Sequence, residues 1–258
     1  MANDDANVDR SPFSKPGFIV SALVVALVLV LGVGVVIGRR SDDDSGAADA
    51  TADPTGSAGV STTANAGATS TDGDASICGL EGVVLEGTVT EAPEATWAYH
   101  GTAAYPSSPV YGPGATDVED NFSYCFQHSP EGAIFAASSY MAQPFDTRVG
   151  KPWLEYYVAD GPYREHLMSS TATARPSDDV PIEAIQMKVV GFRLLSYDGA
   201  TARVDVAVEA TYANRTFYHS SIHDLVWQDG DWKLSTETDT PIDSGNISDL
   251  SGYVMWAD

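Results

Sequence analysis

Two histidines, His219 and His223, have the spacing of a possible metal site. On a helix, residues four apart share a face and could bind one zinc ion. On a strand the same spacing separates them by about 13 Å, which is too far for one ion. The β-branched and aromatic residues around the pair favour a strand. We therefore predict no metal site, and we expect the two histidines and Ser221 to form a solvent-facing polar stripe.

Acid–base chemistry has scattered candidates, which are Asp205, Tyr218, His219 and Asp224. A general acid or base must lie within hydrogen-bonding reach of its substrate, and no spacing here brings two of these groups together. The chain also lacks a Gly-x-Ser-x-Gly elbow, a P-loop, a dinucleotide glycine fingerprint and a Cys-x-x-Cys pair. The sequence therefore predicts no catalytic residue, no cofactor and no enzyme activity.

Cys78 and Cys125 are the two cysteines of the chain. An isolated pair fits a disulfide in an oxidising compartment, which would stabilise the fold by about 4 kcal/mol in the chain-entropy model. Two reduced, buried thiols are the alternative, because free cysteine often serves as a small apolar residue. We predict the disulfide.

A segment at residues 92–114 is rich in proline, glycine and aromatic residues. Prolines at this density predict neither a central strand nor a helix. The aromatic side chains could form an interaction surface for a partner or glycan, with Trp97, Tyr99, Tyr105 and Tyr111 as its members. Alternatively, they fix a long loop to the core.

A β-meander is the element that must position most of these residues. From Ala202 to Tyr212, apolar and polar residues alternate with the period of a strand that is buried on one face. The dipeptides Asp198-Gly199 and Asp229-Gly230 suit tight hairpin turns. The pattern predicts antiparallel strands at residues 182–197, 200–212, 216–227 and 232–238.

Helices that cover this sheet are predicted upstream. Ser129 and Pro130 form a helix start, and an apolar run follows to Met141. A second helical region spans residues 152–169 and is interrupted at Gly161-Pro162. We also predict a first strand at residues 83–89 and a docked apolar tail at residues 253–256.

An apolar stretch near the start of the chain, residues 18–37, has no charged residue and is long enough to cross a bilayer. A cleaved signal peptide is the alternative, but the stretch exceeds the usual length of its apolar region. We predict a short cytoplasmic N-terminus (1–17), a transmembrane helix (18–38), a disordered Ser/Thr/Ala/Gly/Asp linker (39–76) and an extracytoplasmic α+β domain (77–258). The basic residues that flank the span are balanced, so the orientation follows from the cysteines.

The formal net charge of −23 and the pI near 4.2 exclude one class of partner. An acidic chain without a basic stripe repels a phosphate backbone. We therefore predict no nucleic-acid binding.

The short helices followed by a long meander, which ends in the hairpin of residues 226–234, resemble the NTF2-like family. That resemblance implies a curved antiparallel sheet packed on short helices. The layout of the whole chain and the segment His128–Ala137 also resemble actinobacterial single-pass membrane proteins of mobile elements, and the NTF2-like scaffold subunit of conjugative type IV secretion systems.

The resemblance implies a membrane-anchored scaffold that assembles with itself or with other envelope proteins, with its C-terminal domain outside the cytoplasm. The alternative is an NTF2-like module that binds a small ligand or acts as an isomerase.

Overall fold

A computed structural model describes residues 75–173 and 181–257. They form a mixed α+β structure with a strongly curled, mostly antiparallel sheet and a few short helices. The predicted N-terminus (1–17), transmembrane helix (18–38) and nearly all of the linker (39–76) lie outside the described residues. Within the part that is described, no helix is both long and apolar enough to span a bilayer.

The sheet is built from strands that are widely separated along the chain. Its path is β1-β2-β5-β6-β7-β8, with β10 paired to β5 and β9 paired to β7, while β3 and β4 form a separate pair. The strands are β1 (Thr96–His100), β2 (Ala103–Ser107), β3 (Ala115–Thr116), β4 (Ser123–Tyr124), β5 (Gln186–Tyr197), β6 (Thr201–Tyr212), β7 (Arg215–Gln228), β8 (Asp231–Leu234), β9 (Ile242–Ile247) and β10 (Val254–Met255).

The predicted meander is confirmed, since β5, β6, β7 and β8 follow one another as antiparallel neighbours. Asp229 and Gly230 have φ values of 56° and 78°, so both adopt the left-handed conformation of a tight hairpin turn. The β6–β7 turn uses Ala213 and Asn214 in the same way, with φ values of 48° and 60°. This turn lies between the predicted strands 200–212 and 216–227, and Asn214 tolerates the left-handed conformation better than Ala213 does.

Three helices lie in the described residues, α1 (Pro130–Ala142), α2 (Lys151–Tyr157) and α3 (Arg164–Thr173). The start of α1 confirms the predicted cap, because the Ser129 hydroxyl accepts the Gly132 N–H at 3.0 Å and Pro130 occupies the first turn. The break between α2 and α3 falls around the predicted Gly161-Pro162 interruption. Short 3-10 turns occupy Gln143–Phe145 and Ile182–Ala184.

The core lies between α1 and the inner face of the curled sheet. Twelve of the thirteen residues of α1 are buried, which is typical of a helix that is surrounded by protein on all sides. Ile134, Phe135 and Met141 join the inner-facing valines of β5 and β6 in one apolar cluster. The side chains of α1 therefore fill the concave side of the sheet.

Two sequence predictions upstream of α1 are wrong. Residues 92–114 contain β1 and β2, although we expected no central strand there. Pro106 is tolerated because β2 pairs with β5 only at Ala103 and Ala104, so no ladder bond to β5 needs its missing N–H. Residues 83–89 form no strand, since only Val83 makes an isolated bridge and most of the segment is exposed.

The C-terminal tail docks on the sheet as predicted. β10 pairs with β5, and the backbone N–H of Trp256 donates to the Val190 carbonyl at 3.1 Å. The Trp256 ring packs on Phe135 and Phe192, with centroids 5.2 and 5.1 Å away. The tail therefore ties the middle of β5 to α1.

Candidate functional site

The histidines of β7 lie inside the molecule. His219, Ser221 and His223 are 0%, 0% and 1% exposed, so the expectation of a solvent-facing stripe is wrong. Alternation along β7 places them on the same face as the buried Leu225. That face turns towards the helices, which the sequence pattern of β7 alone could not reveal.

Hydrogen bonds link three of these buried side chains into a Tyr157–His223–Ser221 chain. Tyr157 Oη lies 3.1 Å from His223 Nδ1, and Ser221 Oγ lies 3.1 Å from His223 Nε2. A hydroxyl beside a base that a third group orients is the arrangement of nucleophilic catalysis. Burial lowers the pKa of His223 to about 4, so its ring is neutral at neutral pH. All three residues are at most 3% exposed, so the Tyr157–His223–Ser221 chain lies in the interior.

His219 has a different environment on the same face. Its Nδ1 lies 3.3 Å from Asn246 Oδ1 on the neighbouring β9, and its buried Nε2 has no hydrogen-bond partner within the described residues. Burial lowers the pKa of His219, and the contact with Asn246 opposes this shift. Residues 75–173 and 181–257 contain no group of three His, Cys, Asp or Glu side chains that could hold a metal ion.

The carboxylate candidates lie on the opposite face of the sheet. Asp205 is fully buried and forms an ion pair with Arg193. It also accepts hydrogen bonds from the Ser220 hydroxyl, with an oxygen–oxygen distance of 2.6 Å, and from the Tyr253 hydroxyl, at 2.9 Å. Asp224 pairs with Arg203 at 3.2 Å. Tyr218 alternates with His219 along β7 and so shares the face of Asp224. The structure therefore places Asp205, Tyr218 and Asp224 on one face of the sheet and His219 on the other.

The two cysteines form the predicted disulfide, with their Cα atoms 6.0 Å apart. Residues 76–79, which include Cys78, lie against the β7–β8 turn. There the Ile77 backbone N–H donates to the Gly230 carbonyl at 2.8 Å. The buried carboxylate of Asp231 accepts the Cys125 N–H at 2.7 Å and the Phe126 N–H at 2.9 Å. Burial raises the pKa of Asp231 to about 6, while these bonds oppose the shift. The disulfide and the hydrogen bonds of Asp231 together fasten the segments around Cys78 and Cys125 to the β7–β8 hairpin.

The four aromatic residues predicted as an interaction surface divide into two pairs. Tyr105 is 3% exposed and stacks on His100 at 5.0 Å, and Tyr111 stacks on Phe135 at 5.6 Å. These two fix the chain to the core, as the alternative interpretation of the segment stated. Trp97 is half-buried and packs against the core cluster, so Tyr99 is the one residue of the four that is largely exposed.

Trp97 and Tyr99 lie two residues apart on β1 and therefore on the same face, opposite to Tyr105. Tyr99 is 69% exposed, and the Lys188 ammonium lies 4.5 Å from the centroid of the Trp97 ring. β1 ends the path of the sheet, and in the described part of the chain it pairs only with β2. We call this surface of Trp97, Tyr99 and Lys188 the β1 face.

A cavity borders each end of the β1 face. One, with a volume of about 510 Å³, is lined by residues 92–97, Pro109, Trp256 and Ala257, and we call it the Trp256 cavity. The other, of about 410 Å³, is lined by Tyr99, Lys188 and Glu209 among others. Both volumes lie in the range of ligand-binding pockets in proteins.

Trp256 is the residue that sequence analysis missed as part of a site. It is 7% exposed, and its indole Nε1 has no hydrogen-bond partner within the described residues. The apolar tail indicates that Trp256 is buried, but no sequence pattern indicates that the residue also lines a cavity. The β1 face with its two cavities is therefore the best candidate site for binding.

The family model described as "Domain of unknown function (DUF8175)" matches residues 58–255. No curated protein and no solved structure matches the chain. Since the match covers most of the chain, the protein belongs to this family.

Proposed function

We propose that this member of the DUF8175 family is a membrane-anchored, extracytoplasmic interaction protein that docks its partners on the β1 face. The observation that carries the proposal is the largely exposed Tyr99 beside the half-buried Trp97 on the last strand of the sheet path. Aromatic residues are enriched in the centres of protein interfaces. The histidine and serine groups with catalytic geometry are buried and do not compete for this role.

The location outside the cytoplasm rests on two independent features. Residues 18–37 have the length and apolarity of a membrane span, and the following linker is polar enough to act as a tether. The disulfide between Cys78 and Cys125 fits an oxidising compartment, because such bonds are rare in the cytosol. Together they favour a domain that is held outside the membrane.

The fold supports a scaffold of the NTF2-like type more than a small-molecule enzyme of that type. The curled sheet wraps around α1, as expected for an NTF2-like cone. The side chains of α1 occupy its concave side, where an enzyme of that family would bind its ligand. We propose on this basis that the chain assembles with envelope proteins, as in conjugative secretion systems.

Site-specific photo-crosslinking tests the docking surface in intact cells. A photoreactive residue that replaces Tyr99 should capture specific envelope proteins, because it lies in the β1 face. The matched control replaces Tyr163, a 41% exposed tyrosine that lies outside this surface. Capture from neither position, or equal capture from both, would contradict the proposal.

Thiol labelling tests the location. After reduction, an added membrane-impermeant reagent should label Cys78 and Cys125 in intact cells under mild denaturation of the domain. Labelling that requires lysis of the cells would place the domain in the cytoplasm and would overturn the proposed orientation.

A further inference from the structure

The first described segment, residues 75–91, is attached to the domain at few points, and we call it the strap. It contains no helix and no strand, and most of its residues are exposed. Two of its backbone N–H groups donate to the rest of the domain at 2.8 Å, from Ile77 to the Gly230 carbonyl and from Val84 to the His128 carbonyl. An exposed segment with few such bonds opens locally at low cost, so its covalent link controls whether it stays in place.

The strap lies over the start of α1 and over the β5–β6 turn. The Gln127 side-chain amide donates to the Glu81 carbonyl at 2.5 Å, and the Leu85 backbone lies against Gly199. Both regions beneath it have supports of their own. The Ser129 hydroxyl caps α1, and the Asp198 carboxylate accepts the Thr201 N–H at 2.7 Å in the turn. We therefore expect α1 and the turn to stay folded when the strap detaches.

The covalent link is the disulfide, and its two halves differ in exposure. Cys78 belongs to the strap and is an exposed residue, whereas Cys125 is 0% exposed. Thiol–disulfide exchange begins when a thiolate attacks one sulfur, and access decides which sulfur is attacked. An incoming thiolate therefore attacks Cys78, and Cys125 is the leaving group.

Two hydrogen bonds at the Cys125 sulfur favour its departure. Ser76 Oγ lies 2.8 Å from Cys125 Sγ, and the Cys78 backbone N–H donates to the same sulfur at 3.2 Å. A disulfide sulfur has no proton to donate, so the Ser76 hydroxyl is the donor. Hydrogen bonds to a charged group favour its charged form, and a thiolate that is stabilised in this way leaves faster.

One neighbouring charge opposes a thiolate at Cys125. The buried Asp231 carboxylate accepts the Cys125 backbone N–H at 2.7 Å. It also accepts the backbone N–H groups of Phe126 and Trp232, both at 2.9 Å, and the Tyr156 hydroxyl at 2.7 Å. These four donors offset part of its negative charge, which limits the repulsion.

We propose that the Cys78–Cys125 disulfide is a thiol-exchange site that a dithiol reduces, and that its reduction releases the strap from a domain that stays folded. A thiolate of the dithiol attacks Cys78 Sγ, and the disulfide breaks. Cys125 leaves with the electron pair and takes up a proton from water.

The second thiol of the dithiol completes the reaction. Its thiolate attacks the dithiol sulfur of the mixed disulfide, and Cys78 leaves as a thiolate that takes up a proton. Two electrons have then passed from the dithiol, which becomes a disulfide, to the protein. This inference goes beyond docking on the β1 face and does not depend on it, because the strap is not part of that face.

Glutathione, a monothiol, tests the direction of the exchange. The full-length chain in detergent micelles is suitable, because Cys78 and Cys125 are its two cysteines. After an acid quench, alkylation and peptide mapping should find glutathione on Cys78 and a free thiol on Cys125. A mixed disulfide mainly on Cys125, or no exchange until the chain is denatured, would overturn the proposal.

Serine variants test the hydrogen bond at the leaving sulfur. Ser76→Ala should slow the reduction of the native chain by dithiothreitol roughly two- to fivefold, a part of the value of one hydrogen bond. Ser76→Thr keeps the hydroxyl and should restore the rate. Ser220→Ala is the control, because Ser220 is similarly buried but donates to Asp205 on the sheet. An unchanged rate in Ser76→Ala, or an equal slowing in Ser220→Ala, would contradict the assigned role of Ser76.

Hydrogen exchange tests the release of the strap. With dithiothreitol present, peptides that contain the Ile77 and Val84 amides should lose protection, while those of α1 and β6 keep the protection of the oxidised chain. Unchanged protection in the strap would show that the disulfide does not hold it, and loss of protection throughout α1 and β6 would show that reduction unfolds the domain. Either result would overturn the proposal. Since no partner takes part, the outcome is separate from that of the Tyr99 crosslinking.

Discussion

The inner face of β7 and the outer β1 face both carry the polar or aromatic groups from which binding sites are made. On β7, His223 uses both ring nitrogens in contacts with Tyr157 and Ser221, and all three residues are closed off from solvent. On the β1 face, Tyr99 is largely exposed and the nearby Trp256 N–H is unpaired. The contrast teaches that the geometry suited to catalysis is here enclosed in the core, while an exposed aromatic side chain lies on the last strand of the sheet path.

The largest expected effect comes from removing the disulfide that fastens the chain at the β7–β8 turn. Replacing both Cys78 and Cys125 by serine should lower the free energy of unfolding by about 4 kcal/mol, because the unfolded chain regains the freedom of a long loop. Urea unfolding of the oxidised chain measures the loss, and the reduced wild type is the control. A change below about 1 kcal/mol would show that the anchor is held mainly by Asp231 and its partners.

The second prediction concerns the inner stripe. His223→Ala should destabilise the fold by about 3 kcal/mol, since it opens a cavity and leaves the buried Tyr157 and Ser221 hydroxyls without their ring partner. Urea unfolding gives the value. A loss of less than about 0.5 kcal/mol would mean that the stripe is accessible to water, and catalysis there would have to be reconsidered.

The third prediction concerns how the stability changes with acid because of two buried histidines, His100 on β1 and His223 on β7. Burial lowers the pKa of His223 and of His100 to about 4, against about 6.5 in the unfolded chain. The unfolded state therefore binds protons first, so stability is lost as the pH falls from about 6.5 to about 4. Above about 6.5 both states carry neutral rings, and these groups add no pH dependence.

Asp231 acts in the opposite sense over part of this range. Its raised pKa of about 6 lets the folded state take up a proton before the unfolded state does, which offsets part of the loss of stability.

Because His223→Gln removes one of the two histidines with a lowered pKa, its melting temperature should fall less steeply with acid than that of the wild type. Parallel curves for the two proteins would remove His223 from the acid response.

The sequence predicted the local features of this fold better than the faces of its strands. The cap at Ser129, the helix break at Gly161-Pro162 and the turn at Asp229-Gly230 depend on neighbouring residues, and all three are present. Whether a face of β7 is buried depends on helices that are distant in sequence, so the local pattern does not reveal that His219 and His223 are buried. The parallel pairing of β2 with β5 is equally non-local.

The candidate site was predictable only in part, because it also depends on contacts between residues that are distant in sequence. The aromatic content near β1 is visible in the sequence, but of the four predicted residues only Tyr99 is largely exposed. Trp256 is more than 150 residues away in sequence, and only the β5–β10 pairing brings it to the same cavity. No short-range pattern carries that information.

The smallest expected effect on stability belongs to the β1 face, and it provides the decisive comparison. Tyr99→Ala should change the free energy of unfolding by less than about 0.5 kcal/mol, because the side chain is largely exposed. Ser221→Ala, on the inner face, should destabilise the fold by about 1 kcal/mol through the lost contact with His223.

Co-purification of envelope partners with these two variants, expressed at equal levels in intact cells, tests the central claim most directly. The account predicts that Tyr99→Ala loses the partners captured by the wild-type chain, while Ser221→Ala retains them. Retention by Tyr99→Ala together with loss in Ser221→Ala would place the function on the inner stripe and contradict the account.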